Sequence, residues 1–311
     1  MHDVDAACVK VGRQVWWFAL LLLASFLCFN SAVSAEEGPE ISALTIRYPD
    51  IHHPYYSQRD KYFQEILKLA MEKSGVKFEL LPEGLPSYNE KRSVLFLHNG
   101  NYDVHWLHTS REKERLLRPI KVPLYNGAIG WRAFFIRPEN QVLFSEVRNV
   151  EDLSKLVAAQ AQDWPDLKIL RANGLRVEVI TSWEGMFKLT SIKRIDYFPR
   201  SVIEIRRESQ LDIAKELVVE KSVIIKYPAA YYFFVRKRGE RLAGALEKGL
   251  SIALDDGSFD AVFARYFGED LQALQLDKRQ IIEIGNPELE SSMPLADRRL
   301  WLRASQFSAA D

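Results

Sequence analysis

From Ala43 onward the apolar residues keep switching period, from the alternation of a strand to the three-and-four spacing of a helix and back. That switching constrains the fold more than any other feature of the chain. Ala43-Leu44-Thr45-Ile46-Arg47-Tyr48 reads as a short strand, ended at Pro49-Asp50 by a residue that has no amide to donate. After a loop carrying His52, His53, Tyr55 and Tyr56, the residues Tyr62, Phe63, Ile66, Leu67, Ala70 and Met71 recur at helical spacing. Gly75 follows where a left-handed cap is wanted. Val76 to Leu81 predicts a second strand, the stretch from about Tyr88 to Leu97 a helix, and Tyr102 to Leu107 a third strand. Strands separated by helices imply parallel pairing, because a parallel neighbour requires a crossover.

A second alternating block begins after Tyr125-Asn126-Gly127. Ile129 to Ile136 is a long apolar strand stopped by Arg137-Pro138, and Glu151-Asp152-Leu153 starts a short helix. Leu156 to Gln160 and Val177 to Ile180 read as strands, and Trp183 to Lys193 as a helix. Near Lys226-Tyr227-Pro228 the chain returns through the strand Tyr231 to Val235. Leu242, Ala243, Leu246, Leu250, Ala253 and Leu254 mark a helix stopped by Asp255-Asp256-Gly257. Phe259, Val262, Phe263, Tyr266 and Phe267 mark another, with Gly268 as its cap. The last forty residues, with Pro287 and Pro294, read as an extended tail that wraps the body through Leu300-Trp301-Leu302. No internal repeat or low-complexity tract is present.

The N-terminus reads as an address. Lys10 and Arg13 precede the apolar run Val15 to Phe29, which is shorter than the roughly twenty residues a spanning helix needs. Val33-Ser34-Ala35 fits a small-residue cleavage site, so residues 1–35 are expected to be a secretory signal peptide cut after Ala35, with an uncleaved membrane anchor as the alternative. Both cysteines, Cys8 and Cys28, fall in that segment, and the mature chain has no disulfide, thiolate metal site or cysteine nucleophile. The 42 basic and 42 acidic side chains cancel, which provides no global field for a nucleic-acid backbone or an anionic membrane.

Several residues in this order carry a resemblance. The short first strand, the aromatic loop and the amphipathic helix are followed by Asn101-Tyr102-Asp103-Val104, then by Thr109-Ser110 with arginines leading to Pro123-Leu124-Tyr125. Later come Tyr232-Phe233-Phe234-Val235-Arg236-Lys237, Asp256-Gly257-Ser258-Phe259-Asp260 and Tyr266-Phe267-Gly268. The chain resembles the type II periplasmic solute-binding proteins over about Ala43 to Leu271, and more narrowly the polar amino-acid-binding branch, the family 3 extracellular solute-binding proteins. The resemblance implies an α/β fold of two doubly wound lobes joined by two crossing segments, near Tyr125 to Gly127 and Lys226 to Ala229. Residues 36–126 with 229–270 would form the first lobe, 127–228 the second, and 271–311 a C-terminal tail. In such a fold the ligand lies outside the carboxyl ends of the strands, and hinge closure buries it.

The resemblance also implies an arginine clamp on a ligand carboxylate soon after the third strand, since a planar guanidinium donates two parallel hydrogen bonds. Arg115 fits when counted back from Tyr125 and Arg111 when counted forward from Thr109. Either could equally be part of a solvated charged helix start. Thr109 and Ser110 offer hydroxyls that suit a carboxylate or a helix cap. Tyr55 and Tyr56 occupy the loop where the family sets aromatics against the ligand side chain, and Trp106 is a ligand or core candidate. From the second lobe, Gln160, Asp163 and Trp164 follow a strand and open a helix, and Tyr197 and Arg200 follow another strand-like turn.

After the expected cut removes His2, the histidines form two pairs, His52-His53 and His105 with His108, with His98 apart from both. His105 and His108 begin on a strand, where residues three apart point to opposite faces, so the spacing does not favour a metal site, and no cofactor is expected. No serine elbow, metalloprotease helix or phosphate loop argues for an enzyme. The expected function is capture of a small polar ligand, an amino acid or related carboxylate, by a monomeric periplasmic protein for an ABC permease. The alternative is a sensory protein that presents its closed form to a membrane receptor, with a metal-binding protein as a further reading.

Overall fold

The computed structural model describes residues 42–50, 57–84 and 90–308. Tyr55, Tyr56, His52, His53 and the expected signal peptide lie outside the described residues. β1 (Leu44–Asp50) and β2 (Phe78–Gly84) pair in parallel, Leu44 opposite Phe78 and Asp50 opposite Gly84. Helix α1 (Ser57–Ser74) is the crossover that this pairing requires. Its stripe of Tyr62, Phe63, Ile66, Leu67, Ala70 and Met71 is fully buried, and Gly75 ends it at φ 75°.

The expectation of parallel pairing fails for the next strand. β3 (Val104–His108), β4 (Arg118–Ile120) and β11 (Tyr231–Val235) form an antiparallel sheet with β11 in the middle. The reason is topological: β11 enters this sheet on the way back from the second lobe, so it arrives in the opposite direction. Helices α2 (Glu90–Asn99), α3 (Arg111–Leu116), α9 (Glu240–Asp255) and α10 (Ser258–Leu274) complete the first lobe. α9 lies so close to α1 that a Cβ on Gly249 would come within 2.6 Å of the Ala70 carbonyl carbon. Only glycine permits that approach. α10 does not stop at Gly268, because Leu271 and Leu274 extend its buried stripe. It ends instead at Gln275, in the left-handed region at φ 48°.

The second lobe is centred on β5 (Trp131–Ile136), buried along its whole length. β8 (Phe198–Ser201), β9 (Val218–Val219) and β10 (Val223–Lys226) pair with it, all antiparallel. β6 (Val157–Ala161) and β7 (Arg176–Ile180) make a parallel pair, and Ala158 bridges to Tyr197. Short helices α4 (Gln141–Ser145), α5 (Val150–Ser154), α6 (Pro165–Ala172), α7 (Trp183–Ser191) and α8 (Ile205–Glu208) fill the connections.

Residues 121–130 and 227–230 are the two connecting segments that lead into β5 and out of β10. The two run side by side: the Tyr227 amide donates to the Gly130 carbonyl at 3.0 Å. The segment expected as an extended tail contains one more strand, β12 (Gln280–Glu283), which pairs in parallel with β10. Its apolar core is Ile281 and Ile282, too short a run to stand out from loop sequence. Among the described residues no helix is long and apolar enough to cross a membrane.

Candidate functional site

An arginine in a buried apolar strand must find a counter-charge. Arg132, the second residue of β5, is 4% exposed and its Nη2 lies 2.6 Å from Asp166 Oδ1. Asp166 sits in the first turn of α6, immediately after Pro165, where the helix dipole favours a carboxylate. The third member comes from the second crossing. Tyr227 accepts a hydrogen bond from Arg132 Nε at 2.8 Å and donates its own hydroxyl proton to Asp166. Burial alone would lower the Arg132 pKa, but the attraction of Asp166 outweighs it and the guanidinium stays charged. Burial likewise pushes the Tyr227 phenol well above its ordinary range, so it remains a proton donor.

A second guanidinium lies beside the first. Arg200 of β8 is one register step from Arg132, since Ser201 pairs with Arg132 and Ala133 with Arg200. Glu204 precedes α8 and Glu208 ends it; four residues apart, they reach the same side. Arg200 donates to both oxygens of Glu208 at 2.7 and 2.5 Å and lies 3.2 Å from Glu204. The Trp164 ring covers this guanidinium at 4.6 Å. Glu204 also approaches Arg132 at 4.0 Å, and its side chain keeps 28% exposure. Lobe 2 therefore presents three carboxylates to two guanidinium groups, with Glu204 the most accessible of the five.

The first lobe faces this cluster with the end of β3. His108 is 8% exposed and packs edge-on against Tyr231 at 5.6 Å. Its ring feels Asp166 and Arg132 of the other lobe, and burial, aided by Lys113, pushes its pKa down to about 4. His105, on the opposite face of β3, is pushed down to about 3 by burial and then by Arg59 and Lys113. Both are neutral at pH 7. Among the described residues no group of three or more His, Cys, Asp or Glu side chains is placed to hold a metal ion.

The sequence-predicted candidates divide clearly. Gln160 and Arg200 are buried in lobe 2, and neither amide atom of Gln160 has a hydrogen-bond partner. Trp164 stacks on Arg200, whereas Asp163 beside it is exposed. Tyr197 is core, packed against Phe134 and Phe144 at 4.9 and 5.7 Å. Trp106 stacks on Phe63 at 5.4 Å and donates to Asp60, placing it in the core of lobe 1. Thr109 donates to Glu114 Oε1 at 2.6 Å, and Ser110 caps α3 by accepting from the Lys113 amide. Both hydroxyls thus serve the helix start. Arg111 is 64% exposed and bound to the Leu289 carbonyl and Glu290, and Arg115 is exposed on the same helix. Neither arginine makes a hydrogen bond or ion pair with the Arg132 cluster.

Sequence reasoning missed Arg132, Asp166, Tyr227, Glu204 and Glu208. The signal was present for the first: a single cation in the run Ile129 to Ile136 cannot be buried alone. Two open surface hollows, of about 270 Å³ beside Arg47, Phe96 and Tyr102 and about 480 Å³ beside Ser182, Lys188 and Ile213, are set apart from this cluster.

No family model and no curated protein matches the sequence. The fold does match solved structures. A probable amino-acid ABC transporter extracellular-binding protein from Bacillus subtilis superposes with a TM-score of 0.58 at 16% identity, over 74% of this chain and 100% of that one. An ancestral arginine-binding protein bound to arginine gives 0.51 at 16%, over 72% and 98%. A histidine kinase sensor domain with similarity to periplasmic binding proteins gives 0.50 at 19%, over 73% and 96%. The chain accordingly has a periplasmic-binding-protein-like α/β fold.

Proposed function

We propose that the protein captures a small polar ligand of the amino-acid class between its two lobes. The observation that carries this reading is the buried Arg132–Asp166–Tyr227 network at the lobe-lobe boundary, one member of which belongs to a crossing segment. Any group that engages Asp166 or Arg132 also acts on Tyr227, and so on the crossing that sets the angle between the lobes. Glu204 suits a ligand ammonium, and the unpaired amide of Gln160 offers both a donor and an acceptor to a polar end group. His108 and Tyr231 cover the site from lobe 1. Carried over from the family, Arg111 and Arg115 remain alternatives for the carboxylate clamp if α3 turns inward, and Tyr55 and Tyr56 for the aromatic cover.

Titration calorimetry of the full chain with the common amino acids and small dicarboxylates tests the assignment. The expected result is one binder whose affinity falls at least about tenfold in Glu204→Gln, equivalent to about 1.4 kcal/mol, and is unchanged in Arg111→Ala and Arg115→Ala. Wild-type affinity in Glu204→Gln together with its loss in Arg115→Ala would return the clamp to α3.

Residues 1–35, read as a cleaved export signal, support a periplasmic setting for this proposal, in which the protein acts as a monomer that delivers its ligand to an ABC permease. A sensory role is the second reading, favoured by the similarity to a histidine kinase sensor domain. Co-purification from cross-linked membranes distinguishes them: a permease supports delivery and a receptor kinase supports sensing.

A further inference from the structure

The chain does not leave the body after α10. It runs into lobe 2 as β12 and then returns to lobe 1, so the lobes are joined by more than the two crossings at residues 121–130 and 227–230. In lobe 2 the Ile284 amide donates to the Lys226 carbonyl at 2.9 Å, and Gly285 exchanges hydrogen bonds with the Asn173 side chain at 2.7 and 3.0 Å. One residue later, Asn286 Nδ2 donates to the Pro228 carbonyl of the second crossing at 2.7 Å. In lobe 1, Leu289 and Met293 enter the apolar cluster under β3 and β11.

The same segment then reaches the first crossing. The Leu302 amide donates to the Asn126 carbonyl at 2.6 Å, and Leu302 is buried. The Trp301 ring lies directly on Gly127, where a Cβ would come within 2.7 Å of Cζ3. Gly127 holds φ 69°, a conformation that costs glycine little and other residues more. Farther on, Phe307 packs on Phe263 of α10 at 6.1 Å. Rotation of the lobes about residues 126–128 and 228 would have to break the Asn286 and Leu302 hydrogen bonds and lift Trp301 from its glycine seat.

We infer that residues 284–302 are a brace that clasps both crossing segments and sets how far the lobes open. This rests on the two-lobed hinge reading above and adds regulation to the same site: what disturbs the C-terminal segment changes access to the cleft without touching a ligand-facing residue.

The test reads lobe separation without ligand, so it answers even if no amino acid binds. Spin labels are placed at Leu95→Cys in lobe 1 and Ile192→Cys in lobe 2, positions that are 53% and 54% exposed, in a full chain with Cys8 and Cys28 replaced by serine. Pulsed dipolar spectroscopy of this parent should give one narrow distance distribution. Trp301→Ala should add a longer-distance population roughly tenfold above the parent level, moving a minor open state into view. Asn286→Ala removes the bond to the Pro228 carbonyl and the local one that Asn286 Oδ1 accepts from the Glu288 amide at 2.9 Å, but truncates no apolar side chain, so it should fold and shift the distribution in the same direction by less. Distributions identical to the parent in both variants overturn the brace, as does a Trp301→Ala protein that melts earlier but keeps the parent distances.

Discussion

Replacing Gly130 by alanine tests the coupling between the crossings and the site. Gly130 ends the short turn before β5, and its φ is negative, so alanine is not excluded by backbone conformation. The obstacle is space. A Cβ there falls well inside 3.0 Å of the Tyr227 carbonyl oxygen and lies 3.2 Å from both the Tyr227 carbonyl carbon and Ala229 Cβ. Two of these neighbours are backbone atoms of the other crossing, which cannot rotate away. The crossings must separate, which costs about 1–3 kcal/mol as overpacking and about 1 kcal/mol for the Tyr227 amide to Gly130 carbonyl bond. Moving Tyr227 also withdraws its hydroxyl from a buried ion pair, at about 1.5–3 kcal/mol for hydrogen bonds to charged groups. The sum is roughly 4–7 kcal/mol, large against the 5–15 kcal/mol of a typical fold. Urea unfolding followed by tryptophan fluorescence measures it, with Gly244→Ala as the control, because a Cβ there meets nothing within 4 Å. A Gly130→Ala protein as stable as this control would refute the claim that the crossings are in contact at this point.

Three further outcomes follow from particular groups. Asp166→Ala leaves Arg132 as a buried charge and should destabilise the fold by about 3–5 kcal/mol, whereas Asp163→Ala, three residues earlier and exposed, should change the midpoint little; equal midpoints for the two would contradict the buried pair. His105 and His108 are held at about 3 and about 4, below the unfolded value of 6.5, so the unfolded state binds more protons and stability falls as pH drops from about 6.5 toward 4. At pH 5 each costs about 2 kcal/mol; Asp60, whose pKa burial raises, acts in the opposite sense, and an acid loss that persists in a His105→Asn, His108→Asn double variant would assign it elsewhere. Tyr232 buries a hydroxyl with no hydrogen-bond partner, so Tyr232→Phe should raise stability by about 1 kcal/mol, and a loss of that size would show that the hydroxyl is satisfied.

Much of the fold is legible in the sequence because its signals are local. Gly75 caps α1 as its position after Met71 implies, and the strand Ile129 to Ile136 is found as β5 at Trp131–Ile136. What escapes is set by distant partners. Gly268 looks like a stop but lies within α10, since Leu271 and Leu274 still face the core, and β12 is short enough that only its pairing with β10 identifies it. The direction of β11 depends on the excursion through lobe 2, which local periodicity does not encode.

The site is less legible than the fold for the same reason. Arg200, Gln160 and Trp164 follow from their places after strands, but Arg132 lies inside an apolar strand and Tyr227 inside a connection. Their partnership joins residues separated by 95 positions. Reading the lone charge as a debt to be met elsewhere in the chain, rather than as noise in a core strand, is the step that would have found it.

The most direct measurement is the heat-unfolding midpoint of the full chain against a panel of amino acids, small carboxylates and zinc. A ligand that binds only the folded protein, present at one hundred times its Kd, adds about 2.7 kcal/mol. For a chain of this size that is a rise of roughly 5–10 °C. We expect at least one amino acid to produce it, and Glu204→Gln, with its affinity at least about tenfold lower, to cut the rise to about half or less at the same concentration. Midpoints unmoved by every amino acid and carboxylate, with or without a response to zinc, would contradict the account.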